Sequence, residues 1–256
     1  MRAILSVQQL SLSMGGKSLC DALDWALRPA EVWGVLGLNG VGKSTLLHSL
    51  CGLHPPDSGQ ISLATEPLQQ MSRRAIARKV GLLFQHQDDI FPVTVLEQVM
   101  MGRHPHISML GGEQPADLEI VERVIEKMAL SGLESRLVDT LSGGERRRVA
   151  VATILAQQPQ LYLLDEPEAH LDPRHQKAAL AAVVADALQR EGGVVMALHD
   201  INLAIRHCTH LLLLYGGGEV EQGALSEMVT LERVERLYET GMRRIEEGGQ
   251  IAYLVR

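Results

Sequence analysis

Aromatic side chains are nearly missing from this sequence of 256 residues, with Phe, Trp and Tyr together at 3%. A surface that binds single-stranded nucleic acid needs aromatic platforms and a basic groove. The basic excess is missing too, since 24 Lys and Arg stand against 31 Asp and Glu for a formal charge of −7, so no nucleic acid partner is expected. Cysteine is scarce. Cys20, Cys51 and Cys208 are odd in number and far apart, with the spacing of neither a zinc site nor a disulfide framework, which points to a reducing cytoplasm. No apolar run approaches the roughly 20 residues that span a bilayer. The N-terminus has no basic segment followed by an apolar stretch and a small-residue cleavage site, so membrane association is expected only through a partner. What remains, 46% hydrophobic and 21% charged residues, fits a folded chain with one core and an insertion.

Several apolar runs end in glycine or acidic residues and lead into helix-like sequence. "EVWGVLG" (31–37), "KVGLLFQ" (79–85), "QLYLLDEP" (160–167) and "GVVMALHD" (193–200) read as buried strands, with helical patterns such as "KSTLLHSLCGL" and "DPRHQKAALAAVVADALQR" between them. Strands alternating with helices predict an α/β fold built on a parallel sheet. "AILSVQQLSLSM", "GQISLA", "THLLLLYGGGEVEQG" and the final "MRRIEEGGQIAYLVR" carry short strands or glycine turns and predict antiparallel hairpins at that sheet's margin. Between Gln85 and Leu141 the texture is helical. "DLEIVERVIEKMAL" sets Leu118, Val121, Val124, Ile125 and Met128 on one face, and 86–140 is expected to be a mostly helical insertion.

"GLNGVGKST", Gly37 to Thr45, has two glycines with four residues between them, then Lys and Ser, after an expected strand and before an expected helix. That context marks a phosphate loop. Its glycines, Gly37, Gly40 and Gly42, let successive N–H groups of the loop, Asn39 among them, turn toward phosphate oxygens, and the helix beginning near Lys43 adds its positive end. Lys43 supplies charge to the outer phosphates, Ser44 a hydroxyl ligand for Mg2+. "LYLLDEP" ends a strand in two carboxylates at the edge where α/β proteins bind ligands. Asp165 is a candidate Mg2+ ligand, and Glu166 is placed to align or deprotonate water. Asp172 before Pro173 reads equally as a helix N-cap, and His199 by itself reads as a packed histidine.

Taken together these residues resemble the ATPase subunits of ATP-binding cassette transporters, P-loop NTPases with a parallel core sheet, an antiparallel β subdomain and an inserted helical subdomain. Gly37 to Thr45 resembles the Walker A loop, Gln85 the Q-loop glutamine, "LSGGE" (141–145) the signature motif, "LYLLDEP" Walker B, "HLD" (170–172) the D-loop and His199 the switch histidine. The resemblance implies a core at 1–85 and 141–256 with the antiparallel strands, and a helical subdomain at 86–140. It implies ATP with Mg2+, the metal held by Ser44, Asp165 and Gln85. Glu166 would be the catalytic base, His199 the γ-phosphate sensor, and Gln85 a sensor of nucleotide and membrane subunit. It further implies a head-to-tail pair of chains, each ATP lying between one chain's phosphate loop and the other's Ser142, Gly143 and Gly144, a second anion-binding cap at a helix start, with Asp172 nearby.

Two positions depart from the family pattern. Position 145 is Glu where Gln is frequent, and it is expected to point away from the phosphate and pair with Arg148. The run 146–148 is expected to be a solvated helix face. Met14 stands where the family stacks an aromatic on adenine, which predicts looser base selectivity and acceptance of GTP. "VMMGRHPH" (99–106) is similar to a stretch in importers of metal chelates (ferric siderophores, haem, cobalamin, in some cases molybdate), with His104 and His106 structural, near the membrane-subunit contact. The resemblance then implies integral permease subunits at the cytoplasmic face of the cell membrane, and indirectly an extracytoplasmic substrate-binding protein. From the short tail no added regulatory domain is expected. An exporter or lipid-transfer ATPase and a non-transport assembly ATPase share the nucleotide motifs and are the rival readings.

Overall fold

Where apolar residues run unbroken, the computed structural model, which describes residues 2–85, 92–108, 111–168 and 172–256, forms strands buried at every position. In chain order the elements are β1 (Leu5–Met14), β2 (Lys17–Leu27), β3 (Val32–Leu36), α1 (Lys43–Leu50), β4 (Ser58–Leu63), β5 (Glu66–Pro67), α2 (Arg73–Lys79) and β6 (Val80–Leu83). There follow α3 (Val95–Met100), α4 (Pro115–Lys127), α5 (Gly143–Gln157), β7 (Leu161–Asp165), α6 (Pro173–Gln189), β8 (Gly193–Leu198) and α7 (Ile201–His207). The chain closes with β9 (His210–Gly216), β10 (Glu219–Ala224), α8 (Leu225–Met228), α9 (Leu231–Tyr238), β11 (Met242–Glu247) and β12 (Gln250–Val255).

The central sheet has the order β10-β9-β3-β8-β7-β6 and is parallel except for β10. Its strands are apolar on both faces because each face meets a different core. Leu161 and Leu163 of β7 turn to one core, with α1 and the antiparallel sheet, while Tyr162 and Leu164 turn to the other, with α3 to α6. The antiparallel sheet runs β2-β1-β4-β5, and β11 and β12 form a separate hairpin. The hairpin expected from "THLLLLYGGGEVEQG" stands at the margin of the central sheet, β10 as its antiparallel edge and β9 beside it, parallel to β3 with Leu211 to Leu214 buried. The other expected hairpins need correction: "AILSVQQLSLSM", "GQISLA" and the final segment pair in sheets of their own and not at the central sheet's margin.

In α4 the buried stripe is Val121 and Ile125, continued by Met128 at its C-cap, whereas Leu118 is 40% exposed and Val124 half-buried. The cause is Asp117, which Arg103 draws inward through a buried ion pair of 2.9 Å. Leu118, about 100° further round the helix, therefore faces out. The same guanidinium donates to the Ala156 carbonyl (2.7 Å) and the Gln158 side chain (3.2 Å) at the end of α5. His106 Nε2 meets the Gln157 carbonyl at 2.8 Å, and Arg74 and Arg78 of α2 donate to the Pro105 carbonyl at 2.9 and 2.7 Å. Residues 102–106 thus tie α2, α4 and α5 together.

Gly102 permits this approach, since a Cβ there would overlap the Thr153 carbonyl oxygen on α5. Gly102→Ala is expected to cost about 1–3 kcal/mol, the range for overpacking a close contact. Urea unfolding checks this, and an unchanged midpoint refutes it.

Candidate active site

The strand order decides which loops meet. β3, β8, β7 and β6 are consecutive in the sheet, so the loops leaving their carboxyl ends stand side by side: Gly37 after β3, His199 after β8, Glu166 after β7, Gln85 after β6. They bound a cleft of about 390 Å³, lined by Met14, Asn39, Gly40, Gly42, Lys43, Ser44, Thr45, Gln85, Glu166 and His199, with Lys17 and Leu19 beside them.

The phosphate loop is tight on its protein side. A Cβ at Gly37 would stand 2.6 Å from the Leu214 carbonyl oxygen, and one at Gly42 2.7 Å from the Leu19 side chain. Gly42 also precedes α1 with φ +113, a conformation that favours glycine. Among the described residues no side chain caps α1, so its first N–H groups are free for an anion. The Lys43 ammonium donates to the carbonyls of Gly37 (2.8 Å) and Leu38 (3.2 Å) and lies 3.3 Å from His199 Nδ1. Burial lowers its pKa, and the carboxylates of Glu166, Asp165 and Glu168 oppose that shift.

Glu166 is the hub. Its carboxylate accepts from Gln85 Nε2 at 2.7 Å and contacts His199 Nε2. Because an ammonium has no acceptor, His199 Nδ1 accepts from Lys43 and the imidazole proton sits on Nε2, donated to Glu166. The backbone at Glu166 is held at φ +45, its N–H donating to the Ala197 carbonyl at 3.1 Å. Asp165 is 2% exposed, and its Oδ1 has no hydrogen-bond partner among the described residues. Burial raises the Asp165 pKa, and the Ser44 hydroxyl beside it works the other way. A buried unpaired carboxylate oxygen facing a serine hydroxyl is a donor set that fits Mg2+.

Ser142, Gly143 and Gly144 open α5 and do not line this cleft. Glu145 does not pair with Arg148. It closes a capping box, accepting from Ser142 N (2.9 Å) and Ser142 Oγ (2.6 Å), because a Glu at the third helical position reaches its own N-cap more readily than the next turn. These bonds hold the Glu145 pKa below its usual range. Arg148 donates instead to the carbonyls of Met128 (3.0 Å) and Ala129 (2.6 Å).

Nor is the run 146–148 a solvated face. Arg147 is 6% exposed and donates to the carbonyls of Phe84 (2.6 Å), Asp165 (2.9 Å) and Glu166 (2.6 Å). Charge counting missed it, although its helical phase matches that of buried Val151 and Ile154. Glu168 was missed as well; its Oε2 is buried without a partner among the described residues, and burial pushes its pKa up. Asp172 is the N-cap of α6, accepting from Arg174 N and His175 N at 3.0 Å each, with His175 Nδ1 at 2.6 Å. It lies outside the cleft, and His170 and Leu171 of the "HLD" motif fall outside the described residues.

The ABC transporter family profile matches residues 20–169. The ferric enterobactin transport ATP-binding protein FepC of Escherichia coli is 38% identical over 238 residues, covering 92% of this chain and 87% of that protein. The hemin import ATP-binding protein HmuV of Pseudomonas aeruginosa is 40% identical over 240 residues, 92% of each. Among solved structures, an inward-facing chain assigned to the metal-chelate type of ABC transporter aligns with a TM-score of 0.85 at 26% identity, over 100% of this chain and 98% of that one. The chain belongs to the ABC transporter family. It is an ATP-binding subunit that hydrolyses ATP. Among its described residues no helix is long and apolar enough to cross a membrane.

Proposed function

We propose that the chain is the ATPase of an importer for a metal chelate of the iron-siderophore, haem, cobalamin or molybdate class, and that two copies close on ATP to drive uptake. The observation that carries the dimer is the separation of two anion sites. One lies in the cleft at α1 and the other is the exposed start of α5, outside that cleft, so a second copy is needed to bring a cap to the nucleotide. The identities with FepC and HmuV support the cargo class.

In this reading the phosphate chain of ATP displaces the carbonyls of Gly37 and Leu38 from Lys43 and lies along the N–H groups of Asn39 to Thr45. Ser44 and Asp165 would hold Mg2+, with Gln85 completing the set; the metal would offset charge on the outer phosphates. Glu166 takes the proton of the attacking water. His199, whose imidazole already bridges Glu166 and Lys43, contacts the γ-phosphate and couples its presence to the base. Asp172 would approach the nucleotide across the pair of chains. Residues 102–106 would lie near a permease helix, since Phe84 and Met101 leave an apolar groove open beside His104 and Pro105.

The test is mild-detergent purification of the tagged protein from its native membranes, with companions identified by mass spectrometry. A many-helix permease together with a substrate-binding protein is expected, at the cytoplasmic face of the membrane. Soluble assembly factors alone would remove the transport reading and leave the ATPase chemistry intact.

Met14 stays 52% exposed at the cleft, its sulfur accepting from Thr45 Oγ1 at 3.4 Å. A thioether contact contributes roughly 0.3–1.5 kcal/mol to an aromatic base of either kind. GTP is therefore expected to be hydrolysed with kcat/KM within about tenfold of ATP, as about 1.4 kcal/mol corresponds to tenfold. Steady-state kinetics with both nucleotides decides it, and strict ATP preference sinks the idea.

A further inference from the structure

We propose that Tyr238 is a positioning residue for His199, so that the last helix of the chain sets where the imidazole stands over the cleft. The proposal rests on the reading of His199 as the group that contacts the γ-phosphate.

The strand that delivers His199 ends one residue too early to hold it. β8 stops at Leu198, whose partner Leu36 is the last of the β3 register, and α7 begins only at Ile201. The carbonyl of His199 therefore lies beyond the ladder, at a junction that needs an outside partner. Tyr238, the final residue of α9, donates its hydroxyl to that carbonyl at 2.8 Å. Burial, with the charge of Asp200 added, pushes the phenol pKa up. The hydroxyl accordingly keeps its proton and remains a donor.

The platform under Tyr238 is firm. Arg233 pairs with Glu221 at 2.5 Å, and Arg236 lies over the Tyr215 ring at 4.1 Å while pairing with Glu219 and with Glu221 (3.4 Å). These contacts fasten α9 to β9 and β10, and β9 pairs with the strand that leads into the phosphate loop. From the other side, the Asn202 amide exchanges two hydrogen bonds with the Tyr253 backbone, 3.0 and 2.7 Å. The junction after β8 is thus gripped between α9 and β12. Its imidazole has to meet Glu166 and Lys43 together, and a displacement of about 1 Å is enough to lose such geometry.

Tyr238→Phe deletes one hydroxyl and keeps the ring that fills the site, so the fold is retained. Turnover is expected to fall roughly three- to tenfold, the size of one neutral hydrogen bond, with KM for ATP within twofold and the melting temperature lowered by no more than a few degrees. In a His199→Ala background the same change is expected to have no further effect, read by single-turnover hydrolysis of radiolabelled ATP. An unchanged kcat, an equal loss in both backgrounds, or an effect confined to KM or melting overturns the proposal. A His199→Ala enzyme with near wild-type turnover instead removes the reading of His199 on which it rests.

Discussion

With Glu166 replaced by Gln, the enzyme is expected to bind ATP as before, to accumulate as a nucleotide-locked pair of chains, and to hydrolyse at least ~10²-fold more slowly, the usual worth of a positioned general base. The amide keeps the shape and most of the hydrogen bonding. Its oxygen can still accept from Gln85 or His199, so the loop is retained, but no group there takes a proton from water. Closure and chemistry therefore separate. Size-exclusion chromatography with light scattering, with and without ATP, reads the first, and phosphate release reads the second. Turnover close to wild type would place the base elsewhere in the cleft.

Arg147→Met is expected to damage both stability and rate. One guanidinium satisfies the carbonyls of Phe84, Asp165 and Glu166, and methionine leaves all three acceptors without it, that of Asp165 in a buried place. Leaving a buried acceptor without its partner costs about 1–3 kcal/mol. Burial lowers the Arg147 pKa, yet Glu168, Asp165 and Glu166 act against that shift, so the group is held as a cation among carboxylates. Because those carbonyls flank Gln85 and Glu166, kcat is expected to fall more than about tenfold even where the protein remains folded. Lys is not a substitute, since a single ammonium lacks the planar fork that spans the three oxygens. Urea unfolding with ATPase assays on the folded fraction checks both effects, and a loss below about 1 kcal/mol contradicts the clamp.

Legibility in the sequence followed the range of the interactions. The phosphate loop could be read because its chemistry is written in nine consecutive residues, and β3, β7 and β8 because burial on both faces demands unbroken apolar runs. The β9–β10 hairpin could be read from the three glycines at 216–218, and the four leucines before them are the mark of a doubly covered strand, which β9 is through its parallel pairing with β3. Arg147 and Asp117 escaped because each is a charge on an otherwise ordinary helix, and only a partner distant in sequence brings it inside. Glu145 was misjudged for the opposite reason, the local capping geometry winning over the pair with the next turn. Tyr238 carries no motif at all, and its hydroxyl acquires meaning only once α9 is folded against the end of β8.

The helix α5 has a mechanical consequence. Its fifteen residues make a rod about 22 Å long at 1.5 Å per residue. Near one end Arg147 bolts it to the carbonyls of Asp165 and Glu166, and at the other Arg103 bolts the Ala156 carbonyl to the loop at 102–106. A strut pinned at both ends transmits thrust along its axis with little loss. The loop at 102–106 and the backbone under the cleft's carboxylates are therefore the two anchor points of one strut.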